Sequence, residues 1–584
     1  MTAPRRALLS MLLALPPLVS VATGATAATP RPALSRGVLV VLVPDVSFEQ
    51  LMEHPAVRAL ASHGGAGLLP ASGDPRETIE ASFPKTGIRP LGGSTIDVPL
   101  LVVEQGLGPD PTPIGELDDA VRDAVAAFDT QEVLVAVAGE RPSASMRGRK
   151  DDLLPIVIGR GSPSDVLLQR GPPRALTSDS TRRIGVVAAV DVPTTIDAFV
   201  GGSIARNPPD APEAGFAIRS VDAPAPFELH GRYLAMRRMT VPVQTAAALY
   251  VAVAGVFAVL VLRLGRRAPA LLGVLASGFA ISVGPLGAAL LLAGHLPTLS
   301  YATVVPFVVI VTVAVTAIVL LGATRELLHP VLPLGVLLLA VLAVESALGW
   351  TAALTALLGG SELDGGRFYG LPNVFIGLLL GACLYVASRL PAVAGFAVLV
   401  AAALLAGLPL AGANLGGAVT LLAGAGLWLP LRVRRRLGWR ELAFAAAVVI
   451  VGTAVVLVAH RVSSLPTHVT AFEERQDAAR AWSIFVERLG VGWALIAHNP
   501  FALVPVLGLL VTLGVLLRPP ASIAPSLGRH PAWRDAMLVL VLASVVAYVA
   551  NDSGPAACGV GFGMALGGLL YVSVAERTWK MVPA

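Results

Sequence analysis

Three short polar motifs interrupt the apolar second half of the chain and carry its most reactive side chains. They read GGRFYGLPN (365–373), GANLGG (412–417) and NDSG (551–554). A guanidinium such as that of Arg367 can grip a phosphate or carboxylate with two parallel hydrogen bonds. Asp552, or His468 in a nearby polar loop, can act as a base. Asn373 supplies a positioning amide, and the glycines let backbone approach a ligand closely. The same residues also suit interfacial turns and caps, since NDSG is good turn chemistry and Tyr369 is an ordinary interface anchor. Two alternatives therefore stay open: Arg367, Asn373, His468 and Asp552 line a catalytic pocket, or they shape loops. Glu345 stands apart, inside an apolar run. A carboxylate at membrane depth is a candidate for a transport path, or it snorkels to the nearer surface. No P-loop, no HExxH, no paired CxxC and no GxGxxG in a strand–helix context occurs in the sequence. The residues thus call for no cofactor and no metal.

The elements that must position these groups are set by composition. The 584 residues are 55% hydrophobic and only 14% charged, with a mean hydropathy of +0.74. A soluble domain carries about 25% charged residues. That contrast excludes a soluble enzyme, a disordered chain and a collagen-like fibre, and it requires many membrane spans. From about residue 239 onward we count eleven apolar segments: 241–262, 269–293, 302–322, 331–350, 371–388, 391–409, 416–431, 441–460, 499–517, 535–550 and 556–575. Gly559, Gly563 and Gly567 have the small-xxx-small spacing of tight helix packing.

The chain opens on Arg5 and Arg6, a short apolar run from Leu8 to Val21, and then Ala25-Thr26-Ala27. This is the pattern of a secretory signal peptide, expected to span 1–28. Such a signal places the next part of the chain outside the cytoplasm. With the first span running inward, the expected inner loops hold fifteen Arg and Lys residues, and the outer loops of the membrane half hold five. That is the sense the positive-inside rule requires. The net charge of +5 is therefore read as a topology signal, with no nucleic-acid partner. The expected location is the cytoplasmic (inner) membrane of a bacterial-type cell, with an extracytoplasmic N-terminal domain and a cytoplasmic C-terminus. Cys383 and Cys558 both fall in apolar runs, so no disulfide framework is expected in the exported part.

Residues 29–238 have globular patterning. Val38 to Val43 reads as a buried parallel strand, His54 to His63 as a helix, and Leu100 to Val103 as a strand. Glu116 to Phe128 is an amphipathic helix with Leu117, Val121 and Val125 on one face. Val133 to Val137 and Leu154 to Ile158 are further strands, Val186 to Ala189 another, and Thr194 to Val200 a closing helix. Alternating strands and helices imply an α/β domain with a mainly parallel sheet. The expected architecture is this exported domain and then an all-α polytopic membrane domain of about eleven helices (239–584).

Particular segments of the exported domain carry a family resemblance. Val38 to Asp45 (VLVVLVPD) resembles the first strand of the alkaline phosphatase-like superfamily, which ends in a metal-binding aspartate. Pro55 to Ala61, together with Gly64-Gly65, resembles the next helix and turn. Leu154 to Gly159 resembles the strand after the metal site, while Leu176 to Arg183 and Val190 to Ile196 resemble the closing segment. The resemblance covers roughly residues 36–202 and implies a dinuclear metal site with a serine or threonine nucleophile. Only Asp45 stands at a matching ligand position, as a vestigial one. Where the family has Asp-His-Gly, this chain reads Val133 to Glu140 (VLVAVAGE). His54, His63 and His230 lack the partner spacing of ligands, and nothing near Ser82, Thr86 or Ser94 would activate a nucleophile. The expected state is a retained fold with a lost metal site, a pseudoenzyme. An exported domain ahead of the spans is also the order in the eukaryotic GPI ethanolamine-phosphate transferases, without a residue-level match.

Three function classes fit this sequence. The first is a non-catalytic envelope protein whose phosphatase-like domain binds or scaffolds a partner, such as a lipid-linked envelope polymer or another envelope protein, among membrane lipids. The second is an outer-leaflet transferase acting on a lipid-linked phosphate or sugar through the three polar motifs, which the expected topology puts on the outer face. The third is a transporter or flippase with Glu345 on its path. No internal inverted repeat supports the third.

Overall fold

A computed structural model describes residues 36–579 except 45, 71–75, 77, 79–81, 83–87, 91–99, 105–114, 127, 129–131, 141, 143–145, 147–152, 170, 201–216, 265–268, 322–329, 359–368, 464–489, 491–502, 522 and 552–554. The expected signal segment, Asp45, Arg367, His468 and Asp552 lie outside the described residues.

The N-terminal part is built on one eight-stranded sheet. Its strands are β1 (Arg36–Val43), β2 (Gly65–Pro70), β3 (Ile88–Pro90), β4 (Leu100–Glu104), β5 (Glu132–Gly139), β6 (Leu153–Gly161), β7 (Arg174–Thr177) and β8 (Arg219–Pro224). Their order is β3-β4-β1-β5-β6-β2-β7-β8. β1 lies parallel between β4 and β5, with Val38 opposite both Leu100 and Leu134. β6 runs antiparallel to both β5 and β2, and β8 antiparallel to β7. The sheet is therefore mixed, with four of its seven strand pairings parallel. β6 and β8 are the strands that reverse direction.

Both faces of the sheet are covered, which explains the unbroken apolar run of β1. Side chains alternate with period two along the strand. Leu39 and Val41 face one layer with Val57 and Leu60 of α2 (Pro55–His63) and Leu117, Val121 and Val125 of α3 (Gly115–Ala126). Val38, Val40 and Leu42 face Val192, Ile196 and Phe199 of α4 (Asp191–Val200). A short helix α1 (Phe48–Glu53) precedes α2, closed by a capping box of Ser47 and Gln50.

The rest of the chain is helical. α5 (Phe227–Leu264) runs without interruption from beside the sheet into the first apolar segment. Then come α6 (Ala270–Ile281), α7 (Val283–Leu292), α8 (Tyr301–Leu321), α9 (Val331–Ala347), α10 (Asn373–Ala387), α11 (Ala392–Gly407), α12 (Leu415–Arg434), α13 (Trp439–Val462), α14 (Leu503–Leu517), α15 (Ala524–Arg529), α16 (Pro531–Ala550) and α17 (Pro555–Trp579). Among the described residues, six helices are long and apolar enough to cross a membrane, or seven if the bent pair α6–α7 is one span. That pair bends by 49°. Ser282 sits at the break, bonded to the Tyr250 hydroxyl at 2.6 Å, and a serine at a kink has a known physical basis. α17 presses against the break, because any side chain at Gly567 would collide with the carbonyl oxygen of Ala280. α9, α10, α11 and α14 are shorter apolar helices. α10 is buried along its whole length and forms the centre of the main helical core.

Candidate functional site

The polar motifs meet at the end of the helical part that faces the sheet. Asn414 is the organising residue. It caps α12, accepting from the Gly417 N–H at 2.7 Å. Its amide donates to the Leu371 carbonyl at 2.7 Å and to Asn373 Oδ1 at 2.9 Å. The Leu371 N–H donates in turn to the Gly412 carbonyl at 2.7 Å. Gly370 has a φ of +95°, and a side chain there would strike the Gly412 carbonyl, so only glycine fits this crossing. The third motif joins on the other side of α12. Asn551 caps the end of α16 by donating to the Ala547 carbonyl at 2.8 Å, and a Cβ on Gly416 would collide with its Oδ1. Asn373 thus meets Asn414 and Asn551 meets Gly416, so described parts of all three motifs gather at the start of α12 as one unit.

The sheet domain is seated on that unit by a built turn. Asp191, fully buried at the start of α4, accepts from Ser178 Oγ at 2.6 Å, from Ser180 Oγ at 2.5 Å and from the Ala188 N–H at 3.0 Å. Thr177 Oγ1 donates to the Arg183 carbonyl at 2.9 Å, and Thr181 Oγ1 to the Val186 carbonyl at 2.6 Å. The turn so fixed places Arg182, at φ +52°, with its guanidinium 4.1 Å from the centroid of the Tyr369 ring. Arg182 also donates to the Pro409 carbonyl at 3.1 Å. Arg183 donates to the Trp350 carbonyl at 3.4 Å, and Trp350 Nε1 to the Ala411 carbonyl at 2.8 Å. Two adjacent arginines therefore touch all the loops that precede α10 and α12. The sequence held the signal, a double arginine in the segment before the spans, but gave no sign of what it would meet.

Glu345 lies in the last turn of α9 and is fully buried. Its Oε1 takes a hydrogen bond from His295 Nε2, a partner that spacing in the sequence did not reveal. Its Oε2 has no partner among the described residues. His295 sits in the 3-10 turn Ala293–His295. Arg232 of α5 holds that turn by donating to the Gly294 carbonyl and to Thr355 Oγ1.

The carboxyl ends of parallel strands are where open α/β sheets bind ligands. Beside the end of β1, the Glu140 N–H donates to the Val43 carbonyl at 3.0 Å. Glu140 is buried, with Oε1 accepting from Arg76 Nη1 at 2.9 Å. This guanidinium would repel a divalent cation, and among the described residues no three His, Cys, Asp or Glu side chains converge. The described residues there do not fit a dinuclear metal site. Two of the domain's three histidines are engaged elsewhere. His63 donates to the Leu168 carbonyl at 2.6 Å, and His230 pairs with Glu49 at 2.7 Å. His54 lies buried with Nδ1 4.0 Å from Asp118 Oδ1, beyond hydrogen-bond reach. Burial pushes the His54 imidazole below its usual value, against the smaller opposing pull of Asp118 and Glu53. Ser82 Oγ donates to the Thr78 carbonyl at 2.8 Å. Thr86 and Ser94 lie outside the described residues.

Comparison with protein-family models, with curated proteins and with solved structures finds no match to this chain.

Proposed function

We propose that this chain is a multi-pass protein of the cytoplasmic membrane whose exported sheet domain is a non-catalytic, alkaline phosphatase-like module that binds or scaffolds an envelope component. The observation that carries this reading is the seat itself: Arg182 over Tyr369, with Arg183 on the Trp350 carbonyl. A domain fixed at that place reports its occupancy to the loops beneath it. The Arg76–Glu140 pair also stands beside the end of β1, where the family places its metal ligands. The partner on this reading is a lipid-linked envelope polymer or another envelope protein. About eleven spans anchor the module, with the C-terminus in the cytoplasm.

A second reading is favoured by the junction of the three motifs through Asn414 and Gly416. Here the membrane part is an outer-leaflet transferase acting on a lipid-linked phosphate or sugar. Arg367 would grip the phosphate, Asn373 would orient it, and His468 or Asp552 would take the proton.

The test is an envelope lipid and glycan mass profile of a deletion strain. It is complemented in parallel with the intact chain, with Arg367→Ala/Asp552→Asn and with Arg182→Ala/Arg183→Ala, each checked for membrane insertion. Under the first reading the motif variant restores the profile and the docking variant fails to. Under the second, the motif variant fails. Rescue by both variants sinks both readings.

A further inference from the structure

We propose that Glu345 and His295 form a proton-exchange site, in which the imidazole carries protons between the aqueous edge on the sheet-domain side and a carboxylate buried among the helices. Three observations meet here. The Glu345 side chain is 1% exposed, and one of its oxygens has no partner among the described residues. The other oxygen is bonded to His295 Nε2. The His295 side chain is 39% exposed, so one end of the pair opens to the surface and the other is enclosed. A lone ionised carboxylate in such surroundings is unfavourable unless it is paired or protonated. Histidine is the side chain suited to moving that proton near neutral pH.

Among the described residues, the surrounding charges are few. α9 carries no titratable group besides Glu345, and α7, packed against it, carries none. α10, also packed against it, offers Cys383 and Tyr385. Gly335 lies against Tyr385, which puts that end of α10 ten residues, or about 15 Å, along α9 from Glu345. Two cations stand near, both engaged with carbonyl oxygens: Arg232 on Gly294 and Arg183 on Trp350. The Trp350 N–H is bonded to the Glu345 backbone carbonyl at 2.7 Å. The exchange conserves protons and charge. A proton binds His295 Nδ1, the Nε2 proton passes to Glu345 Oε1, and both side chains end neutral. Loss of a proton to the aqueous edge reverses the step. This site is independent of whether the sheet domain binds a ligand.

Difference infrared spectroscopy between acidic and neutral pH tests the proposal on the full chain in lipid nanodiscs. The expected result is a carboxylic-acid C=O band that is lost in Glu345→Gln. In His295→Phe the band is displaced, and its exchange in heavy water is slower than in the parent. A spectrum unchanged by Glu345→Gln overturns the proposal, and so does a band whose position and exchange ignore His295→Phe. If Glu345→Gln does not give folded protein, His295→Phe decides alone. A displaced, slowly exchanging band then carries the site, and an unaltered one removes it.

Discussion

The guanidinium of Arg182 stands 4.1 Å from the centre of the Tyr369 ring, and this contact joins two parts of the chain with opposite solvent requirements. The turn that presents Arg182 is fixed by Asp191, and the loop that presents Tyr369 is fixed by Asn414. Each is a buried polar residue with its hydrogen bonds made. Satisfied buried networks specify one arrangement. The seat therefore sits between two pre-set surfaces and depends little on long flexible side chains finding each other.

The first expectation concerns that contact. A cation–π pair is worth about 0.5–2 kcal/mol depending on its desolvation. In a double-mutant cycle of Arg182→Ala and Tyr369→Leu, the two effects on stability should be less than additive by that amount. Urea-dependent pulse proteolysis of the detergent-solubilised chain measures it. Strict additivity would show that the guanidinium and the ring are merely neighbours.

Asp191 should matter more to the fold than any catalytic role would suggest. Replacing it by Ala leaves two hydroxyls and one backbone N–H without their shared acceptor. Hydrogen bonds to charged groups contribute about 1.5–3 kcal/mol each and are not additive. We expect Asp191→Ala to destabilise the sheet domain by about 2–4 kcal/mol, and Asp191→Asn, which keeps one acceptor, by roughly half that. Proteolytic susceptibility of the sheet domain reads the difference. Equal stability of all three proteins would contradict the described network.

The sequence exposed what depends on local pattern. β1, β4, β5, β6, α2, α3 and α4 each fall where apolar periodicity put them, and each of the eleven apolar segments contains helix. The missed strands lack that pattern, each for its own reason. β2 reads GAGLLP, too short and glycine-rich for a strand pattern, and a Cβ at Gly65 would crowd Leu176 and the Ala175 backbone. β8 reads RSVDAP and is largely exposed along an edge, where charge and Pro guard against mispairing. The segment Val186 to Ala189, apolar enough for a strand, makes only an isolated bridge, Val186 to Leu68. In the site, the motifs were visible but their partners were not. Asn414 with Asn373, Glu345 with His295 and Arg182 with Tyr369 are separated by 41, 50 and 187 residues respectively, and no local periodicity encodes such pairings.

His54 gives an expectation with a definite sign. Burial lowers its folded value below the 6.5 of the free side chain, so the unfolded chain takes up the proton first. Stability from this group is complete above pH 6.5 and declines as pH falls below it, until the folded imidazole also protonates. Thermal midpoints of the parent should therefore fall more steeply on acidification than those of His54→Gln. Parallel curves would mean that the imidazole is not desolvated as described.

Two glycines provide a paired test of the loop junction. At Gly370 the backbone is in the left-handed region, at φ +95°, and the space for a Cβ is already filled by the Gly412 carbonyl. Neither contact can yield as a flexible side chain would. The conformational penalty alone is about 1–2 kcal/mol, and relieving the collision requires pulling Leu371 away from Gly412 and Asn414. Gly370→Ala should thus lower the thermal midpoint and loosen the Tyr369 seat, so that Arg182→Ala adds little further loss in that background. Gly255, in α5, has nothing within 4 Å of its would-be Cβ, and alanine is favoured over glycine in a helix by up to about 1 kcal/mol. Gly255→Ala should leave the midpoint unchanged or raise it. Because the two substitutions add the same methyl group, opposite signs isolate the loop geometry from any general effect of the change. A Gly370→Ala protein as stable as its parent would dissolve the crossing of the two loops and, with it, the physical basis for treating the three motifs as one unit.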